Sequence, residues 1–235
     1  MPRRPKHGIA SNLLESAVRA GFHKAYTHVQ VDPARYLRNM QRAHRLPIRT
    51  WQEMQYFEPE QIQPHARRII SASTRIAALE GLGFGVGGLI TILPDMGILS
   101  AITIRMLQKL SLIHGFEYNT EEEVTALWVA AASAAGLDLG REFLGKQAMD
   151  RVVPRIIDRM AAKMGTEVAE KWSGRLIPLL SAGVGGALNY YFVRAWGRRA
   201  HRHFFERHHA ARGGVRTPAE ARALSLDPHG RLLPS

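Results

Sequence analysis

Three sets of residues in this 235-residue sequence have types and spacings that could do chemistry. Gly83-x-Gly85-x-x-Gly88 has the letters of a dinucleotide-binding turn, where backbone N–H groups cradle a pyrophosphate. Asp95 and His114, with Glu80 as a further carboxylate, could supply the base and acid of a hydrolase. His201, His203, His208 and His209 crowd one short stretch, as metal ligands would. The neighbouring residues argue against each. The fingerprint needs a strand before it and an acidic residue about twenty positions on. Here Ile76-Ala77-Ala78-Leu79-Glu80 reads as helix, position 105 is an arginine, and no Gly-Lys-Ser/Thr of a P-loop exists. On a helix His201 and His203 face different ways, and no i, i+4 metal pair of the H-E-x-x-H kind is present. The polar candidates also have structural uses: Asp95 as a helix cap, Glu80 paired with Arg75 or Arg105, Gln108 and Asn189 bonding free backbone. No set of nucleophile, base and orienting group can be assembled. Neither a metal nor a cofactor is expected, and with no cysteine, thiolate catalysis and Cys-ligated metals are excluded.

The elements that would position these residues all read as helix. Asn12 with Glu15 forms a capping box before Leu13, Leu14, Val18, Phe22 and Tyr26. Asp32-Pro33 is an N-cap followed by a first-turn proline. Thr50 with Glu53 caps a short helix bearing Trp51, Met54 and Phe57. From Glu60 to Glu80, Ile69, Ile70, Ile76 and Leu79 form the apolar face of a longer helix. Met96 to His114 has helical apolar spacing and ends at Gly115. Thr120 with Glu123 caps a helix whose centre, Ala130 to Gly136, is nearly all small residues. The last helix runs to about Ala211. The class is all-α, a multi-helix bundle with a glycine-rich apolar helical hairpin at its centre. Residues 1–57 read as a basic helical region, 58–211 as the main helical domain, and 212–235 as a basic, largely disordered tail.

The hairpin rests on Gly81, Gly83, Gly85, Gly87 and Gly88, with Pro94-Asp95 as a turn between two apolar arms that reach Leu112. A second Gly-Val-Gly-Gly recurs at Gly183, Gly185 and Gly186, followed by Asn189. Backbone stripped of side chains lets helices approach closely, in a soluble core or in lipid. Gly81 to Ile104 is long enough to span a bilayer, but an ionised Asp95 at its centre would cost roughly 2.5–3.5 kcal/mol on insertion scales. Leu176 to Val193 is interrupted by Pro178 and Asn189. Simple spans are disfavoured, and part-way entry and a buried core both stay open.

The formal charge of +12 is uneven. Residues 1–57 hold ten Lys/Arg and three Asp/Glu, residues 58–193 thirteen and fourteen, and residues 194–235 nine and three. The excess sits on two flanks that face something anionic. In the last helix Phe192, Trp196, Ala200 and Phe204 recur every four residues, while Arg194, Arg198, Arg199, Arg202 and Arg207 occupy other faces. That combination suits an anionic membrane interface. Nucleic acid fits less well, since phosphate binding needs no apolar stripe. The alternative is that Phe192 and Trp196 dock on the bundle. The basic start Met1 to Lys6 lacks a following signal-peptide core, so export is not expected.

In order and spacing these features resemble the EcsC family of bacterial proteins. The matching residues are Ala78-Leu79-Glu80-Gly81, the glycine run, Leu93-Pro94-Asp95, Arg105 to Leu110, and His114-Gly115-Phe116. A second match is Leu176-Ile177-Pro178 with Gly183 to Gly186 and Asn189. One departure is His114, where the family usually has an aromatic residue. The resemblance implies a protein acting at the membrane beside an ABC transporter, without an established reaction. The expected protein is thus a non-enzymatic accessory, peripheral at the inner face of the cytoplasmic membrane. The alternatives are a hydrolase around Asp95 and His114, or a nucleic-acid binder using the basic flanks.

Overall fold

Capping chemistry sets several of the helix boundaries. The computed structural model describes residues 9–84, 89–137, 152–163 and 182–212. Its helices are α1 (Ile9–His28), α2 (Pro33–His44), a short 3-10 helix (Gln52–Tyr56), α3 (Pro59–Phe84), α4 (Leu89–Ile113) and α5 (Glu121–Ala134). They continue with α6 (152–163) and α7 (Ala182–Arg212). Among the described residues there is no strand, so the chain is all-α.

Asp32 caps α2 by accepting from the Arg35 N–H at 3.1 Å, and Pro33 takes the first helical position. Thr120 and Glu123 make both bonds of a capping box. Two expected caps fail. α1 begins at Ile9, which puts Asn12 inside it, and the 3-10 helix starts after Trp51 with no side-chain cap, so Thr50 does not cap it. At the end of α4, Gly115 adopts φ +83°, and its N–H and that of Phe116 bond back to Leu112 and Ser111. Only a glycine fits there, because a Cβ would collide with the Gln55 side chain and lie 3.0 Å from the Gln55 nitrogen.

Pro94-Asp95 is not a turn: α4 runs straight through both residues. Proline at the sixth position of a helix removes one backbone bond and leaves the first turn intact. α3 tolerates Pro64 at the equivalent position. Residues 85–88, between α3 and α4 in the chain, lie outside the described residues, and with them Gly85, Gly87 and Gly88. The side chain of Asp95 also lies outside them.

α4 is the centre of the bundle, packed by α1, α3, α5 and α7. Leu99, Ile104, Met106, Leu107, Leu110, Leu112 and Ile113 are all buried there. From Leu99 onward the second arm of the expected hairpin therefore contributes to the protein core. The core also takes Val18 and Phe22 from α1, Met54 from the 3-10 helix and Trp51 at its N-cap, and Ala130, Ala131, Ala132 and Ala134 from α5. Gln108 secures the link between α1 and α2: its amide oxygen accepts from the Val31 N–H at 3.0 Å and its amide donates to the Val29 carbonyl at 3.2 Å. Arg19 of α1 bridges to Asp158 of α6 at 3.2 Å.

Candidate functional site

α3 and α7 make the most extensive helix contact, and they run antiparallel. Gly197 of α7 lies against Ile70 of α3 and Met106 of α4, so closely that a Cβ would stand 2.9 Å from Ile70 Cγ1 and 2.9 Å from Met106 Sδ. Arg212 of α7 bonds Glu58, just before α3, at 2.5 and 2.6 Å. Equal rise per residue from the Ile70–Gly197 contact brings Ile76 level with Tyr191, and Gly81 level with Gly186. Both of those glycines are buried. Gly81 and Gly186 thus lie at one end of the pair, and Gly197, an isolated glycine in the middle of α7, is closely packed by both neighbouring helices.

At the glycine end the apolar stripe of α3 emerges from the bundle. Ile76 is 51% exposed and Leu79 68%, and on α7 Tyr190 is 39% and Tyr191 52% exposed. Residues 61–79 of α3 contain Arg67, Arg68 and Arg75 and no carboxylate, and residues 182–205 of α7 contain four arginines and no carboxylate. Arg67, Arg68 and Arg75 are exposed.

The five candidate arginines of α7 divide. Arg194, Arg198 and Arg202, four residues apart, are exposed along one stripe. Arg194 bonds the Tyr190 hydroxyl and sits 5.5 Å from its ring centre. Arg199 is half-buried close to Gly136. Arg207 is half-buried with its guanidinium 4.0 Å over the Phe116 ring, so it serves the fold. The aromatic stripe turns inward: Phe192, Trp196, Ala200 and Phe204 are buried, and Phe22 stacks on Trp196 at 5.7 Å. The amphipathic reading of α7 is corrected accordingly, because its apolar face packs on α3, α4 and α5. Asn189 is buried, and among the described residues no helix is long and apolar enough to cross a membrane. The helical backbone includes Gly83, Gly183 and Gly185.

The hydrolase candidates are far apart. Asp95 lies near the start of α4 and His114 just beyond its end, about 28 Å along the axis at 1.5 Å per residue. No side chains bridge that gap, so this pair cannot form a catalytic dyad. Glu80 is half-buried near the end of α3 and forms no salt bridge with Arg75 or Arg105.

His114 is fully buried at the opposite end of the α3/α7 pair, in an imidazole cluster. Its Nδ1–H donates to the Leu110 carbonyl at 2.7 Å, and its Nε2 has no partner. Burial pushes its pKa down to about 3, against the pull of the Leu110 bond, with His201 and His208 adding to the depression. The His201 ring lies 5.2 Å away and that of His208 6.0 Å. His208 is itself fully buried, and both its ring nitrogens face carbonyls: Nδ1 is 3.0 Å from the oxygen of His114 and Nε2 3.0 Å from that of Phe57. His203 packs edge-on against Phe204, and His209 is exposed. Among the described residues no three His, Asp or Glu side chains converge as metal ligands would.

The EcsC protein family matches residues 8–208. Protein EcsC of Bacillus subtilis (strain 168) is 28% identical over 145 residues, covering 60% of each chain. This chain therefore aligns with about 60% of that relative's length. No solved structure matches. With the family match running from α1 through most of α7, the chain belongs to the EcsC protein family.

Proposed function

We propose that this protein is a non-enzymatic accessory that binds the anionic inner face of the cytoplasmic membrane peripherally, with the glycine end of the α3/α7 pair toward the lipid. One observation carries the reading: exposed Ile76, Leu79, Tyr190 and Tyr191 lie at a single end of two helices, near exposed Arg75 and Arg194, with half-buried Glu80 as the described carboxylate beside them. The arginines attract anionic headgroups, each worth about 1 kcal/mol near the surface. Apolar and tyrosine side chains then enter the headgroup region. A nucleic acid would meet the arginines but has no use for exposed Ile76 and Leu79. At the membrane the protein would serve a membrane system, an ABC transporter being the partner the family resemblance suggests.

Co-sedimentation of the whole chain with vesicles tests this. Vesicles containing a third phosphatidylglycerol should carry the protein down at low salt, and pure phosphatidylcholine vesicles should not. Reversing Arg194, Arg198 and Arg202 to Glu should lower binding by at least about tenfold, because three favourable contacts become repulsive. Equal sedimentation with both vesicle types, or with neither, would remove the proposal.

A further inference from the structure

At the corner end of the α3/α7 pair, opposite the glycines, the chain turns at Phe57-Glu58 and at His114-Gly115, and α2 lies against the first half of α3. The His44 ring meets His65 edge-on at 5.3 Å, and Arg68 donates to its Nδ1 at 3.3 Å. The inner side of α2 is firmly seated. Met40 is buried and Tyr36 stacks on Trp51 at 5.4 Å. The Trp51 Nε1–H donates to the Pro33 carbonyl at 2.9 Å, and the Gln41 amide to the Ile48 carbonyl at 2.7 Å. The outer side is entirely different. Between Asp32 and Glu53 the chain holds five arginines and no carboxylate. Arg35, Arg38, Arg42 and, at the C-cap, Arg45 follow at intervals of three, four and three, which makes one stripe about 15 Å long at 1.5 Å per residue. All four are exposed, and among the described residues none of their guanidinium groups has a carboxylate partner. Asp32 is already engaged as the cap of α2.

What can cover such a face follows from what it lacks. Among the described residues no exposed large apolar side chain lies on α2, so a lipid surface gains no insertion there. The centre of a protein interface is depleted of charge, and four successive arginines leave no room for one. Single-stranded nucleic acid is held by exposed aromatic rings on which its bases stack, whereas Tyr36 turns inward onto Trp51. A regular row of phosphates needs only the cations, and the guanidinium fork matches phosphate oxygens. We propose that the outer face of α2, with Arg35, Arg38, Arg42 and Arg45, binds the phosphate backbone of a double-stranded nucleic acid without reading its sequence. Arg68, beside His44, extends the row onto α3. The inference goes beyond the membrane reading and does not depend on it, because α2 and the glycine end use different arginines.

Fluorescence anisotropy of a labelled DNA duplex of about 20 base pairs, titrated with the full chain at several salt concentrations, tests this. The logarithm of the affinity should fall against the logarithm of salt with a slope of about −3.6, roughly 0.9 for each of four phosphates. Duplexes of unrelated sequence should bind within about twofold of each other, since phosphate contacts carry no sequence information. Arg35→Gln, Arg38→Gln and Arg42→Gln together should flatten the slope by about 2.7 and weaken binding at least about tenfold at low salt. The side chains are exposed, so the urea midpoint should not move, and binding to phosphatidylglycerol vesicles should stay within about twofold of the parent. The reciprocal variant, with Arg194, Arg198 and Arg202 changed to Gln, should keep its duplex affinity. No duplex binding at low salt, or an unchanged slope in the α2 variant, would overturn the proposal. So would a loss of vesicle binding as large as the loss of duplex binding, which would make α2 a general anionic-surface contact.

Discussion

The two ends of the α3/α7 pair are built from different materials. At the corner end, aromatic and imidazole rings are buried and the helix is tied by His208 and by the Arg212–Glu58 bridge. At the glycine end, Gly81 and Gly186 are buried while Ile76, Leu79, Tyr190 and Tyr191 are exposed near Arg75 and Arg194. The same two helices therefore have one end that closes on the protein and one that is open. Burial of Phe204 stabilises the first, whereas exposure of Leu79 adds nothing to the fold. What an element does depends on what surrounds each segment of it, since the helical repeat is continuous from end to end.

The largest test of this contrast is removal of a ring at the closed end. Phe204 is fully buried and stacks on His114 at 5.9 Å and Phe116 at 6.5 Å. Phe204→Ala should cost about 3–5 kcal/mol in urea unfolding, the usual penalty for emptying a buried aromatic site. A loss under about 1 kcal/mol would mean the corner is far less packed than described.

Acid should also act on the closed end. His114 has a folded pKa near 3, well below the value of about 6.5 for a free imidazole. The unfolded chain thus takes up the proton first, so the stability from keeping His114 neutral is complete above about pH 6.5 and fades as pH falls toward 3. By pH 5 this amounts to about 2 kcal/mol. The comparison is unfolding at pH 7.5 and pH 5 for the native chain and for His114→Phe. The variant should lose about 2 kcal/mol of the acid sensitivity, and an unchanged slope would place the acid response elsewhere.

Between the two ends stands Gly197. A methyl there would press on Ile70 and Met106 at 2.9–3.0 Å, so Gly197→Ala should destabilise by about 1–3 kcal/mol despite the better helix propensity of alanine. A gain in denaturation midpoint would show that the crossing can open without cost.

Much of the fold was legible in the sequence because it depends on local rules. Asp32, Thr120 and Gly115 act within a few residues of themselves, and Gln108 bonds free backbone as its amide chemistry suggested. The proline rule misled at Pro94, since a single missing bond in the second turn does not end a helix, as Pro64 also demonstrates. The site was harder to read. Ile69 and Ile76 are seven residues apart and share a face of α3, yet Ile69 is 8% exposed and Ile76 51%. Their difference lies in which helices lie alongside, which no periodicity records. The stripe Phe192, Trp196, Phe204 reads identically for membrane and core. His208 meets carbonyls 94 and 151 residues away, so no local pattern could announce it.

The smallest effect on stability separates the two ends most cleanly. Leu79→Ser removes a side chain that is 68% exposed, and Tyr191→Ser one that is 52% exposed. Surface changes of this sort usually stay within about 0.5 kcal/mol of the parent. Stability should therefore be unaltered while affinity for anionic vesicles falls several-fold, because the apolar part of the membrane contact is gone and the arginines remain. The residual binding should then be more sensitive to salt than that of the parent, since it is purely electrostatic. If either substitution costs more than about 1 kcal/mol in unfolding, the glycine end is packed against something in the folded chain and is not an open surface. If both leave stability and vesicle binding untouched, the apolar patch has no share in membrane contact, and the arginines alone would have to account for it.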